Sequence, residues 1–380
     1  MSIETVFTNA HIVMADQEFD GTVLVRCGKI IEVSEGRSSV PGAVDLEGDY
    51  LLPGLVELHT DNLEKHFSPR PGVKWPAIPA VMAHDTQVAA AGITTVFDSL
   101  SLGDVLGKTD RVQNRGRMVE AICAASERRM TRAEHRLHLR CEVTPDDAIE
   151  AVDRWIDLPL VGLISINDHT PGQRQFLDPE KLRLYHVKKY GMTNDEFEGF
   201  RAQSTALHEK NAVRHRSEIV QRAQARALPI ASHDDATREH VREAVRNGMT
   251  IAEFPTTEEA AEASRDAGLA VLVGAPNVVL GGSHSGNIAA IDLVRAGQAE
   301  ILSSDYVPAS LMEAVFKLPS EAGIGLPQAV RLASLNPARS VGLGDRGEIA
   351  SERRADLVRV RMLGDAPVVR SVWREGERVV

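Results

Sequence analysis

Glu57, His59 and Asp61 alternate near the end of the run Leu52-Pro53-Gly54-Leu55-Val56-Glu57-Leu58-His59-Thr60-Asp61. All three are types that bind cations or move protons. A strand places every second side chain on one face, so Val56 and Leu58 point one way and the acid, imidazole and second acid point the other. Unpaired charge is costly to bury, and a divalent cation is the usual partner for such a set. A salt-bridged core strand would also satisfy it, so the choice rests on the remaining chain.

The same residue types recur at the ends of other apolar runs. In 135–142, Leu137, Leu139 and Cys141 share one face, and Arg136, His138, Arg140 and Glu142 share the other. In 163–169, Ile164 and Ile166 oppose Ser165, Asn167 and His169, which favours His169 over Asp168 as a ligand. His233 closes 230–233, and Asp305 closes 301–305 on the face of Ser303. His59, Asp61, Glu142, His169, His233 and Asp305 suit one or two divalent ions, zinc first and manganese second. Asp305, at the last strand end, also suits the role of general base.

These residues need a scaffold that brings strand ends together. Strand-like runs at 55–61, 93–99, 135–142, 163–169, 230–234, 251–254, 270–274 and 301–305 alternate with helix-like runs at 86–91, 111–129, 217–227, 258–268 and 328–335. Ser217 and Thr257 are positioned to cap two of the helices. That pattern is the mark of α/β architecture with a parallel sheet. Eight strands predict a (β/α)8, TIM-like barrel, which carries its chemistry at the C-terminal strand ends. A doubly wound open sheet is the alternative. Residues 171–216 are charged and lack strand character, predicting a helical excursion at the barrel mouth. Residues 1–52 and 345–380 are rich in short β-like alternations. They predict one small β-sandwich built from both termini, flanking a catalytic barrel over 53–344.

Composition narrows the function. A hydrophobic content of 43% with 26% charged residues is that of a soluble globular protein. The formal net charge of −11 and an aromatic content of only 4% argue against a nucleic-acid or anionic-membrane partner. Cys27, Cys123 and Cys141 form no CxxC pair, so neither a disulfide framework nor a zinc knuckle is expected. The opening residues lack a secretory pattern, and no run reaches the ~18 apolar residues of a membrane span. A cytoplasmic protein is expected, and no apolar stripe demands a homo-oligomer.

The stretch Leu52 to Asp61, the closing Asp305 and the tail motif Gly347-Glu348-Ile349…Ala355-Asp356-Leu357-Val358 resemble the amidohydrolase superfamily. The resemblance implies a metal-bearing (β/α)8 barrel with a sandwich of both termini. It narrows to the phosphonate-pathway branch through ELHTDNLEKHFSPRP from Glu57, AEHRLHLRCE from Ala133, DHTPGQRQF from Asp168 and ASHDDAT from Ala231. AEFPTTEEAAEASR from Ala252, GAPNVVLGGSHSGN from Gly274 and SSDYVPASL from Ser303 extend it across nearly the whole barrel. It implies hydrolysis of a small-molecule sugar triphosphate, α-D-ribose 1-methylphosphonate 5-triphosphate, to the 5-phosphate and pyrophosphate. Two departures stand out. The superfamily's usual His-x-His is His59-x-Asp61 here, and its carboxylated lysine corresponds to Glu142, a carboxylate that can itself bridge two metals.

A triphosphate needs cations. The loop after the first strand supplies Lys65, His66, Arg70 and Lys74; Arg140 lies inward beside Glu142; Arg174 follows the Pro171-Gly172 turn. The glycine-rich turn Gly281-Gly282-Ser283-His284-Ser285-Gly286 can cradle phosphate oxygens with backbone N–H groups, and His284 sits within it. His84-Asp85 is ambiguous, and His186, His208 and His215 read as surface residues. The competing reading is a metal-dependent cyclic-amide hydrolase or deaminase on the same barrel, which would not need Lys65, Arg70, Arg140 and Arg174. A non-catalytic scaffold is disfavoured because every ligand position holds a competent residue.

Overall fold

The computed structural model describes residues 4–70, 72–103, 110–174, 183, 192–283 and 287–380. The N-terminal strands are β1 (Glu4–Val13), β2 (Glu18–Arg26), β3 (Lys29–Glu35), β4 (Val44–Asp45) and β5 (Tyr50–Pro53). Next come β6 (Leu55–Thr60), β7 (Ile93–Leu102), β8 (Glu134–Glu142), β9 (Val161–Asn167), β10 (Ile230–His233), β11 (Ile251–Glu253), β12 (Ala270–Gly274) and β13 (Ile301–Ser303). The chain closes with β14 (Leu357–Leu363), β15 (Ala366–Arg374) and β16 (Glu377–Arg378).

The middle eight strands form one sheet in chain order, β6 to β13, parallel at every described pairing. Thr60, ending β6, pairs in parallel with Asp305, just past β13. The first and last strands are therefore neighbours, and the fold is an eight-stranded parallel barrel. Strands enclosed on both faces must be apolar or internally satisfied throughout, and all six residues of β6 are buried. Observed strands stop earlier than the alternation predicts: β9 ends at Asn167 and β13 at Ser303, so His169 and Asp305 lie in the loops beyond.

The terminal strands form a second sheet, ordered β16-β15-β14-β5-β1-β2-β3 with β4 beside β1. The two ends of the chain meet where β5 runs antiparallel to β14, Leu52 opposite Val358. Phe7, Ile12, Val23, Leu51, Leu357 and Trp373 pack its core, with the Phe7 and Trp373 rings edge to face at 4.8 Å. Gly54 is the crossing point from this sheet into β6. A Cβ there would meet Thr94 Oγ1 at 2.2 Å and Asp356 Cβ at 2.9 Å, which accounts for glycine after Pro53. Gly347 is similarly constrained, with φ +88° and backbone of Ser334 and Leu335 within 3 Å of any Cβ.

Contact density divides the chain into two compact units, Met1–Asp98, Glu120–Arg136 and Val273–Val380 in one, Ser99–Val119 and Leu137–Leu272 in the other. In the second unit the helix Asn194–Gln224 corrects the prediction of a separate helix starting at Ser217. Its start is a capping box of Thr193 and Glu196, and Ser217 is an interior residue whose hydroxyl accepts from Gln221. Asn211 Nδ2 donates to Thr144 O at 2.8 Å, and His215 Nδ1 bonds Val143 O at 2.9 Å. Polar side chains dock its middle at Asn211, His215 and Arg216, whereas its C-terminal turns bury Ile219, Val220 and Ala223, the stripe that reveals only this end in sequence. Of the 171–216 excursion, 171–174, 183 and 192–216 are described, and 194–216 form most of this helix. Thr257 does cap Glu258–Asp266, accepting from Ala260 N at 3.1 Å.

In the first unit, Glu134 at the start of β8 accepts from Arg346 Nη1 at 2.7 Å and from Arg354 Nη1. Burial pushes the Glu134 carboxyl up, but the two guanidinium groups outweigh it and hold it at about 2. A carboxylate with a folded pKa below its unfolded 4.5 stabilises the native state above that value. The contribution is lost as pH falls from about 4.5 towards 2. Denaturant unfolding from pH 7 down to pH 3 should show the larger part of this loss, about 2 kcal/mol of a total of about 3. Glu134→Gln should be less stable at pH 7 and fall off less steeply in acid; an unchanged acid slope would remove Glu134 from this role.

Candidate metal centre

In the second unit the register aligns Glu142 with Asn167 and His233 with Glu253 at the strand ends. Just past β9, the His169 N–H donates to Glu142 Oε1 at 3.1 Å, and its Nδ1 lies 2.6 Å from Glu142 Oε2. His233 Nδ1 lies 3.1 Å from Glu253 Oε2. A carboxylate only accepts, so each Nδ1 carries a proton, and the neutral form of each ring has its lone pair on Nε2. Asp234 Oδ2 stands 3.5 Å from His233 Nε2 and 3.9 Å from His169 Nε2, too far to hydrogen-bond well. That buried oxygen has no hydrogen-bond partner, and burial pushes the carboxyl up to about 7. Two imidazole lone pairs and an orphaned carboxylate oxygen, all within 4.8 Å, are a donor set for a divalent cation. The residues fit such an ion. Arg140 lies alongside, with Nη2 3.4 Å from His233 Nε2.

Asp234 was not expected from the strand alternation. Its φ is +57°, in the left-handed region, so the chain turns sharply after β10 and consecutive residues 233 and 234 face the same point. Phe254 after β11 and Asp305 after β13 share this conformation, with φ +53° and +52°. His138 sits between Ser99 Oγ at 3.2 Å and Ser165 Oγ at 2.8 Å, and its Nε2 is 3.8 Å from Glu253 Oε1.

In the first unit, the buried Glu57 carboxylate spans β6 and β13. It accepts from His59 N at 2.7 Å, Ser303 Oγ at 2.6 Å and Ser304 N at 2.5 Å. Thr60 Oγ1 donates to Asp305 O at 2.6 Å, so the loop ends bearing Asp61 and Asp305 lie side by side. His59 is buried and Asp61 half-buried. Lys65 Nζ donates to Tyr306 O at 2.8 Å, tying the loop after β6 to the residue after Asp305. Arg70 is exposed on that same loop.

Comparison with known proteins agrees with this architecture. Residues 215–379 match the profile described as Amidohydrolase family. Over 376 residues the chain is 45% identical to the alpha-D-ribose 1-methylphosphonate 5-triphosphate diphosphatase of Escherichia coli (strain K12), covering 98% of this chain and 100% of that one. The chain belongs to the amidohydrolase family. Among solved structures it is similar in fold to N-acetyl-D-glucosamine-6-phosphate deacetylase from Mycobacterium smegmatis, with a TM-score of 0.65 at 18% identity over 99% of this chain and 100% of that one. It is also similar to 5-methylcytosine deaminase from Klebsiella pneumoniae, with a TM-score of 0.64 at 15% identity over 100% and 98%. Membership of the amidohydrolase family implies a divalent metal, in keeping with the donor set.

Several expectations change on this amidohydrolase scaffold. Arg174 is not an open cation: it is buried and paired with Asp235 and, at 2.7 Å, with Glu243. Glu243 also takes Arg216 Nη1 at 2.6 Å, and His208 Nδ1 lies 2.9 Å from Asp168. His208 is thus half-buried beside an acid and His215 is buried, which corrects their reading as surface residues. Asp168, set aside as a ligand by the alternation, anchors the long helix instead. His84-Asp85 resolves into a sealed network with Asp98 and His135. His284 and His186 lie outside the described residues. Glu253 and Asp234 are the acids that strand periodicity missed; the run His233-Asp234-Asp235 after an apolar strand was the available signal.

Glu253→Met keeps the side-chain volume and removes the acceptor that holds His233 Nδ1. Competition with a chromophoric chelator should show metal affinity lower by about 10–100-fold. Unchanged affinity would mean that Glu253 does not orient His233.

Proposed function

We propose that this protein is a metal-dependent hydrolase that converts α-D-ribose 1-methylphosphonate 5-triphosphate to the 5-phosphate and pyrophosphate. The observation that carries this reading is 45% identity, over essentially the whole chain, with a relative named for that reaction. His169, His233 and Asp234 would hold the divalent ion, and the mixed imidazole–carboxylate set favours zinc, with manganese next. When bound, such an ion lowers the pKa of its water to about 7 and polarises a phosphoryl oxygen. Glu142 acts through His169, whose Nδ1 and N–H it engages, rather than as a bridge. His59 and Asp61 are further ligand candidates at the end of β6.

Asp305 is the proposed proton acceptor for the attacking water, with the left-handed backbone after β13 presenting its carboxylate. Lys65, Arg70 and Arg140 supply positive charge for the phosphate oxygens; Arg174 is already neutralised by its carboxylates. The barrel over 53–344 carries this chemistry, and the terminal sheet of 1–52 and 345–380 supports it. Among the described residues no helix is long and apolar enough to cross a membrane. A cytoplasmic enzyme with a small-molecule substrate is the proposed setting.

Metal-reconstituted protein offered the ribosyl triphosphate, ATP and a cyclic amide should release pyrophosphate from the first, only with metal present. In 18O-labelled water, label in the ribosyl phosphate places attack at the α-phosphorus, and label in pyrophosphate places it at the β-phosphorus. Hydrolysis of the amide alone would overturn the triphosphate reading. Asp305→Asn should retain bound metal and lose about 10²–10⁴-fold in kcat; retained turnover would remove Asp305 from the role of base.

A further inference from the structure

One buried cluster of titratable groups has no part in the chemistry above. Asp98 on β7 receives His84 Nε2 on Oδ1 and His135 Nδ1 on Oδ2, each at 2.7 Å. His135 Nε2 reaches Asp85 Oδ1 at 3.3 Å, and Asp85 also accepts from Arg132 N at 2.9 Å and Ala133 N at 3.0 Å. All four of His84, Asp85, Asp98 and His135 are buried. By distance His84, Asp98 and His135 could gather a cation. However, each nitrogen facing Asp98 is already engaged by its own carboxylate oxygen, unlike those facing Asp234. The cluster is therefore a hydrogen-bonded relay.

The relay ends on Asn62, the residue after Asp61. Burial would raise the Asp98 pKa, but His135 and His84 outweigh it and hold the carboxyl far below its usual range. An ionised carboxylate only accepts, so His84 Nε2 carries a proton, and Nδ1 faces the Asn62 amide nitrogen, which can only donate. The Asn62 amide lies 2.8 Å from Nδ1 through Nδ2, and the same Nδ2 donates to Gln87 Oε1 at 3.1 Å. Nδ2 also lies 3.4 Å from His66 Nε2. Asn62 Oδ1 is consequently left buried with no hydrogen-bond partner.

We propose that His84 is a positioning residue for the hydrolytic reaction. Through Nδ1 it locks the Asn62 amide, and with it the loop 61–66 that presents Asp61 and Lys65. Asp98 and His135 serve by fixing the His84 tautomer. The inference rests on the hydrolytic reading for its kinetic consequence, but the locking itself is a property of the loop.

Two substitutions separate the two ends of the imidazole. His84→Asn places an amide oxygen near the Nδ1 position and keeps an acceptor for Asn62, while Asp98 loses a donor. His84→Gln extends an amide nitrogen towards Asp98 and leaves Asn62 without its acceptor. Activity and stability should then rank in opposite orders. His84→Asn should melt lower yet keep kcat/KM within about threefold, and His84→Gln should melt closer to wild type yet lose about 10–100-fold. Asn62→Ala should fall as far as His84→Gln, and the double variant no further. Amide hydrogen exchange of the peptide 61–68 should quicken in His84→Gln and not in His84→Asn. Activity that tracks melting temperature in both variants, or equal exchange in both, would overturn the proposal. If wild-type protein released no pyrophosphate, the hydrolytic reading would fail, and the exchange comparison would still decide the locking of the loop.

Discussion

The Glu57 carboxylate joins the two ends of the barrel sheet, and the placement of the first and last strand ends depends on it. A barrel closes only if its first and last strands pair, yet here the backbone bridge between Thr60 and Asp305 is isolated. Thr60 Oγ1 to Asp305 O and Ser303 Oγ to His59 O add to that bridge, and Glu57 reinforces it with bonds from His59 N, Ser303 Oγ and Ser304 N. Burial pushes its carboxyl up to about 7, with hydrogen bonds from Ser303, Ser304 and the His59 backbone partly offsetting the desolvation. The same acid fixes the backbone at His59 and Ser304, one residue from Asp305. Closure of the fold and presentation of its chemical groups are thus a single interaction.

Carboxylates holding imidazoles recur through the molecule, with two different outcomes. Where Glu142 and Glu253 each take one ring nitrogen, the other nitrogens of His169 and His233 stand 3.9 and 3.5 Å from an Asp234 oxygen that has no hydrogen-bond partner. That arrangement suits a cation. Where Asp98 takes a nitrogen from both His84 and His135, the second nitrogens find Asn62 and Asp85. All four ring nitrogens are engaged, and the cluster orders a loop. Composition does not separate the two groups, since both contain two histidines and acids within hydrogen-bonding reach. The direction of the second lone pair does.

The long helix Asn194–Gln224 follows the same preference for polar contacts. Its hold on the end of β8 comes from Asn211 and His215 bonding to Thr144 and Val143 carbonyls. Arg216 and His208 add contacts to Glu243 and Asp168. Such hydrogen bonds fix the register of the helix because their donor–acceptor distances are narrow, while Ile219, Val220 and Ala223 supply the apolar contact near its C-terminus.

The sequence by itself determined the barrel and the chemistry-bearing positions along it. Parallel strands buried on both faces must read as short apolar runs, and eight such runs are visible between β-rich ends. Period-2 alternation also placed Glu57, His59, His138 and Glu142 on the inward face, because that rule is local to a strand. It failed where strands stopped. Asp234 faces His233 through a left-handed φ that no neighbouring residue type announces, and Arg174 is neutralised by Asp235 and Glu243, more than 60 positions away. Residue type and spacing specify which groups reach the strand ends. Which of them meet depends on backbone turns and distant partners, and only the tertiary structure decides those.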